Sequence, residues 1–335
     1  MDGRINSTSL NISNDSSLQP FQIYIWPLNI AFLVGGLGAV FGNIMVVAAL
    51  IKSPELNRNR CNMFVSNLAV ADAISGAYFI VYGVNGVFAS LRGLAAVAIS
   101  NEMCFYINIP AVFSFDAGSL MVLAIGVDRM VSLWWPLFYK NLSKTYVIAV
   151  NALSWIFGGV NVILGFIYKD PHEIVPACAM PTSIRSVALA FWNDSNIVIN
   201  VLVVACYASA YRKAKSLAKV RSSNNDQILR NNRLLTSLII CVSIYVAGWM
   251  VTMLVIFLVN ITSAPPTVIF HCSMYVGILA NVNVGCNFYV YYARSDEYRK
   301  AFRKLLCISG GEIAPVSGAV TAVSLKSVTV SPITT

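Results

Sequence analysis

Residues 103–134 read MCFYINIPAVFSFDAGSLMVLAIGVDRMVSLW, and among these thirty-two positions only Asp116, Asp128 and Arg129 carry formal charge. A helix crosses a bilayer with about 20 mainly apolar residues, so this stretch is long enough to span and to tilt. Comparable runs flank it at approximately 27–51 and 63–89 on one side, and 146–167, 186–211, 234–259 and 267–292 on the other. Helices satisfy their own backbone hydrogen bonds in lipid, and the alternating ten-residue strands of an outer-membrane barrel are missing from the sequence. The expected fold is an all-α membrane protein: a seven-transmembrane helix bundle with a short amphipathic eighth helix. Its expected parts are a polar tail (1–22), the seven-span domain (23–293), the juxtamembrane helix (294–307) and a disordered tail (308–335).

Composition agrees. The 335 residues are 57% hydrophobic and 11% charged, with a mean hydropathy of +0.70, whereas a soluble domain carries about 25% charged residues. A cytosolic enzyme, a disulfide-rich secreted module and a disordered chain are excluded. The net charge of +9 raises nucleic acid as a partner, but the positions of the cations argue otherwise. With the N-terminus outside, 19 of the 23 Lys and Arg fall in inner segments, leaving Arg4, Arg92, Lys169 and Arg185 outside. By the positive-inside rule the expected location is the plasma membrane, with the N-terminus extracellular, the C-terminus cytoplasmic and no nucleic-acid partner.

Three glycosylation sequons, at Asn6, Asn11 and Asn14, crowd the N-terminal tail, where modification needs the same outward orientation. The first twenty residues lack an apolar core, so the first span is expected to act as signal anchor. Cys104 and Cys178 both fall on the oxidising side, which makes a disulfide between them the expected bridge.

Ionisable groups inside spans are costly and mark function by default. They are Asp72 in span two, Asp116 in span three, Asp194 in span five, and the Asp128-Arg129 pair at the inner end of span three.

The order of landmarks resembles that of rhodopsin-like (class A) G-protein-coupled receptors. Gly42-Asn43 stands in span one and Leu68-Ala-Val-Ala-Asp72 in span two. Cys104 precedes Arg129 by 25 residues, and Asp128-Arg129-Met130 is followed by Pro136-Leu137 and Tyr139. Trp155 lies in span four, Tyr245 and Trp249 in span six, and the last span carries Asn283-Val-Gly-Cys-Asn287-Phe288-Tyr-Val-Tyr291. Asn59-Arg60-Cys61-Asn62 and the Ala124–Met130 stretch look most like nematode serpentine chemoreceptors of the srsx type.

The resemblance implies a receptor that binds an extracellular ligand, a chemosensory small molecule or a peptide, and activates a heterotrimeric G protein by a population shift. Arg129, held at rest by Asp128, would turn towards Tyr207, Tyr291 and the G protein, with Asn287 in the same switch. Trp249 would sit beneath the ligand. Asp72, Asn43 and Asn283 resemble the family's polar network, which can hold a structural Na+; no other cofactor is implied. There are departures. Ile199, Val251 and Phe288 stand where the family usually has prolines, which loosen helices. Asn231 is not the acid that would latch Arg129 to span six, and Gly118 replaces the usual hydroxyl of span three.

Basic residues from Arg212 to Arg233 form an inner rim that suits an acidic G-protein surface or anionic lipid. After span seven, Tyr298, Ala301, Phe302, Leu305 and Leu306 repeat at helical spacing between cations, the pattern of a helix lying on the bilayer. Cys307 is a candidate palmitoylation site. The tail carries nine Ser or Thr, candidate targets of a receptor kinase and arrestin.

The ligand is less legible. Ala111 occupies the position of the Asp that amine receptors use, and no Lys occurs between Lys219 and Lys300 to hold retinal. Asp116 and Asp194 either face one pocket, meeting a cationic or hydrogen-bonding ligand or sharing a proton, or are each capped by nearby Asn, Ser or Tyr. The alternative to a receptor is a seven-span transporter or channel, but the repeated halves of many transporters are not visible. His172 and His271 lack a metal-ligand spacing, and no enzymatic activity is expected.

Overall fold

The computed structural model describes residues 25–57, 60–92, 99–175, 178–220, 226–262 and 264–307. Asn6, Asn11, Asn14 and the Ser and Thr of the C-terminal tail lie outside the described residues, as do the side chains of Arg230, Asn231 and Arg233.

Seven long helices follow one another: α1 (Ile25–Lys52), α2 (Arg60–Leu91), α3 (Asn101–Trp134), α4 (Lys144–Tyr168), α5 (Ser186–Val220), α6 (Asp226–Ile261) and α7 (Pro266–Arg294). Among the described residues six of them are long and apolar enough to cross a membrane, and α6 contributes a shorter apolar stretch, Ser243–Val259. The helices overrun the apolar runs that announce them. In α3 the excess is a start signal: Ser100 caps the helix, its hydroxyl accepting from Met103 N, and Glu102 sits in the first turn, where the helix dipole favours an acid. Span five is longer than expected because its basic continuation, Arg212 to Val220, keeps helical geometry.

α3 runs through the middle of the bundle and packs against α2, α4 and α5, while α1 lies against α2 and α7, and α6 against α7. Lipid supplies no hydrophobic drive between helices, so close backbone approach matters. Gly36 of α1 provides it: a Cβ there would lie 2.8 Å from the Gly76 carbonyl of α2. One face of α4 turns apolar side chains outwards, with Ile148, Ile156, Ile163 and Ile167 all exposed, as a lipid-facing surface requires.

A ten-residue helix, α8 (Asp296–Leu305), follows α7, capped by Ser295, whose hydroxyl accepts from Tyr298 N. It is shorter than the expected 294–307, because Arg294 still belongs to α7 and Leu306 and Cys307 form a turn. The apolar face of α8 is turned to the bundle: the Phe302 and Phe288 rings are 4.8 Å apart and Tyr298 Oη donates to Asn62 Oδ1 at 3.2 Å. Tyr298, Ala301 and Phe302 therefore pack on α7 and α2, in place of the expected contact with lipid; Leu306 stays exposed.

At the opposite end, β1 (Ile99–Ser100) pairs antiparallel with β2 (Ile174–Val175). The Cys104–Cys178 disulfide, with Cα atoms 5.5 Å apart, ties this hairpin and the turn Met180–Ser183 to the head of α3. Asn101 organises the loop, donating to the Thr182 and Ser183 carbonyls and accepting from Asp170 N. Asn108 donates to the Cys104 carbonyl at 2.8 Å and accepts from Tyr78 Oη at 2.6 Å. Lys169 bonds Glu102 at 2.5 Å, and this partner raises its pKa.

Candidate functional site

Two chambers lie along the bundle axis, one beneath the disulfide-tethered loop and one at mid-depth. Trp249 lines both. It is buried, and its ring centroid lies 5.1 Å from that of Phe115. Phe115 continues to Phe79 at 5.7 Å, and Phe79 to Phe32 at 5.5 Å. An aromatic chain thus crosses from α6 through α3 and α2 to α1 and forms the floor of the loop-end chamber. The roof is Ala179, Met180 and Pro181, the residues just after Cys178. The disulfide therefore determines where the roof sits.

The middle chamber gathers the polar residues of the helices. Asp72 Oδ2 accepts from Asn287 Nδ2 at 2.7 Å, and Ser114, Ser119, Asn283 and Tyr245 share its walls. Asn43 braces the same region, donating to the carbonyls of Ala39 and Val284 at 2.9 Å each. Tyr207 and Tyr291 also line this chamber at its far end, and the Tyr291 ring stacks on Tyr298 at 4.8 Å.

Beyond it lies the charged pair. Arg129 Nε donates to Asp128 Oδ2 at 3.0 Å, and a second contact runs from Arg129 Nη2 to the same oxygen. Tyr139, from the helix Pro136–Asn141, closes a triangle: Arg129 Nη2 lies 3.3 Å from its hydroxyl, which lies 3.3 Å from Asp128 Oδ2. Arg60 sits over the Tyr139 ring at 4.9 Å and reaches the Leu142 carbonyl. Burial pushes the Tyr139 phenol up to about 12, so it remains a neutral donor and acceptor.

The aspartates of the expected ligand pocket part company. Asp116 is fully buried and its Oδ1 accepts from Asn196 Nδ2 of α5 at 2.8 Å. Its side chain also interacts with the Trp192 indole of α5. Asp194, by contrast, is exposed, and this corrects the expectation that it shares a pocket with Asp116. At about 100° per residue, Trp192, Asn196 and Ile199 turn inwards, and Asp194 is carried to the opposite face. Ala111 is buried but lines neither chamber; its methyl belongs to the packing of α3. Neither Asp116 nor Asp194 lines the loop-end chamber, so the cationic-ligand expectation loses both its anions.

Several residues that shape these sites were not singled out from the sequence. Asn196 carried a signal, a polar residue repeated at Asn200 and Asn193 on one face of an apolar helix. Trp192, Asn101 and Asn108 carried none beyond their polarity or size, because their roles depend on a loop folded back over α3.

Such an arrangement defines a membrane receptor of the G-protein-coupled class. Residues 37–306, most of the chain, match the family described as serpentine type 7TM GPCR chemoreceptor Srsx, and the chain belongs to that family. It is 26% identical to galanin receptor 2b of Danio rerio over 89% of this chain and 79% of the relative. It is 26% identical to melanocortin receptor 4 of Danio rerio over 82% of each, and 25% identical to sphingosine 1-phosphate receptor 3 of Takifugu rubripes over 84% and 71%. The family and these relatives are receptors, which favours G-protein-coupled signalling over a transporter or channel. The chain is a multi-pass membrane protein, and receptor family membership implies a G protein and an extracellular ligand as partners.

Proposed function

We propose that the receptor sits in the plasma membrane with the Cys104–Cys178 end outside, takes its agonist in the loop-end chamber, and signals through release of Arg129. The observation that carries this reading is the position of Trp249. With Phe115 it forms the wall that the loop-end chamber shares with the middle chamber, whose far end is formed by Tyr207 and Tyr291. A ligand that moves Trp249 therefore repacks both spaces. The cation distribution supports the orientation, because Lys140, Lys144 and the run beginning at Arg212 all lie at the Arg129 end.

At rest Asp128 and Tyr139 neutralise and orient Arg129. In the active state Arg129 swings towards Tyr207, Tyr291 and the G protein, whose acidic surface meets Arg212, Lys213 and Lys215. Asn287 couples Asp72 to this switch. The oxygens of Asp72, Ser114, Ser119 and Asn283 suit a hard cation, and the middle chamber, of about 40 Å³, exceeds the ~10–15 Å³ that one water needs. Ser119 supplies the α3 hydroxyl that Gly118 lacks, so Na+ fits there and would hold the resting arrangement. The tail serines and threonines serve a receptor kinase and arrestin, and exposed Cys307 accepts palmitate. The test is nucleotide exchange on purified G proteins by the reconstituted receptor. Wild type should accelerate exchange and Arg129→Ala should not; a receptor current independent of G protein would oppose the reading.

A further inference from the structure

The loop-end chamber carries a chemical specification for its guest. None of its described lining residues bears a formal charge. More than half of its lining residues are aromatic or thioether, among them Phe32, Phe79, Phe115, Trp192, Met180 and Met274. Its hydroxyl groups are already committed to the protein. Tyr78 donates to Asn108 Oδ1 at 2.6 Å, and Tyr82 to the Cys178 carbonyl at 3.1 Å. Thr252 donates to the Gly248 carbonyl at 2.8 Å and Ser273 to the Ile269 carbonyl at 2.7 Å. Two indole donors of the wall, Nε1 of Trp192 and Nε1 of Trp249, lack a well-formed hydrogen bond; the Asp116 side chain interacts with Trp192, which leaves Trp249 for a guest.

An ammonium or carboxylate entering this space would give up its water with no opposite charge to meet it, a cost of several kcal/mol. Asp116 does not relieve that cost, because it lies outside the lining and already pairs with Asn196. An apolar body loses nothing on entry, and a single acceptor atom would satisfy Trp249. Size sets a further limit. The chamber measures about 60 Å³, against the ~150 Å³ of an apolar cavity that holds benzene. A guest larger than a few heavy atoms therefore needs Met180 and Met274 to move, which their flexible thioethers allow.

We infer that the agonist is a small uncharged molecule, apolar over most of its surface, with one hydrogen-bond acceptor such as a carbonyl oxygen that receives the Trp249 indole N–H. This rests on the proposed role of the chamber as the agonist site. It separates the ligand from cationic amines and from anionic or zwitterionic molecules, for which this wall offers no counter-charge.

The test uses the full chain in nanodiscs at pH 7 and probes matched in skeleton: pentan-2-one, pentan-2-amine and pentanoate, then benzaldehyde, benzylamine, benzoate and toluene. Binding is read as a dose-dependent rise in unfolding temperature. The two carbonyl compounds should stabilise the receptor, and the amines and carboxylates should leave it unmoved at tenfold higher concentration. Trp249→Phe should weaken the carbonyl compounds roughly five- to tenfold, the worth of one neutral hydrogen bond, and leave toluene unchanged. Filling the chamber by Ala280→Phe should abolish all stabilisation. If that variant does not fold, Gly277→Ala, whose Cβ would sit 3.1 Å from the Phe32 ring, should reduce it. Stabilisation by a charged member equal to its neutral partner, or inertness of both carbonyl compounds, would overturn the ligand class. Basal nucleotide exchange that depends on Arg129 tests the receptor reading separately: its persistence beside an inert carbonyl panel sinks the ligand class alone.

Discussion

A Cβ on Gly126 of α3 would lie 2.7 Å from Cε2 of Tyr207 on α5, so the tyrosine ring occupies the space where any other residue would place a side chain. This contact sets the distance between α3 and α5 two residues before Asp128, and it positions a residue of the proposed switch. Gly126→Ala should push the ring away, costing about 1–3 kcal/mol in the manner of an overpacked core and reducing agonist-driven exchange. Gly159→Ala, where nothing lies within 4 Å, is the control and should be neutral or stabilising by up to about 1 kcal/mol, the helix-propensity gain over glycine. Thermal unfolding and nucleotide exchange measured on both variants check the pair.

Asp116 is expected to bind Asn196 and not the ligand. Asp116→Asn keeps an oxygen that can accept from Asn196 Nδ2 and should leave agonist potency within about threefold of wild type. Asp116→Leu removes the acceptor and should lower stability by about 1–3 kcal/mol, the usual result of losing one partner of a buried hydrogen bond. A large loss of agonist affinity in the Asn variant with unchanged stability would return Asp116 to the ligand site.

The roof of the loop-end chamber depends on the disulfide. Cys104→Ser together with Cys178→Ser should cost about 2–5 kcal/mol and loosen the Ala179–Pro181 segment. Cell-surface expression and the unfolding midpoint with and without reductant measure the effect. Loss of ligand-dependent stabilisation should precede loss of the fold.

Tyr139 gives a pH signature. Its folded pKa of about 12 exceeds the ordinary value near 10, so the folded state holds its proton where the unfolded chain begins to release it. Its contribution is fully present below about pH 10 and is lost as pH rises towards 12. Wild type should lose more stability than Tyr139→Phe over that window, and the two should run parallel between pH 6 and 9.

Much of this was legible in the sequence because lipid restricts the solutions. The seven apolar runs became seven helices, and Cys104 and Cys178 meet in the structure. What the sequence obscured was rotation and loop path. Charge alone pairs Asp194 with Asp116, although the two-residue offset of Asp194 from Trp192 places it on the far side of α5. The apolar repeat of α8 suits lipid, yet Tyr298 and Phe302 pack on Asn62 and Phe288, because periodicity reports a face and not what covers it. Tyr139 belongs to a motif legible in the sequence, but its place between Arg60 and Asp128 depends on how the loop after α3 turns back.

Basal nucleotide exchange in the agonist-free receptor reads the proposed restraint of Arg129 by Asp128. Asp128→Asn removes the carboxylate charge from the guanidinium and should raise basal exchange several-fold above wild type. Asp128→Asn combined with Arg129→Ala should return it to the level of the G protein alone. Basal exchange unchanged or lowered in Asp128→Asn, with the protein folded and at the surface, would contradict the account.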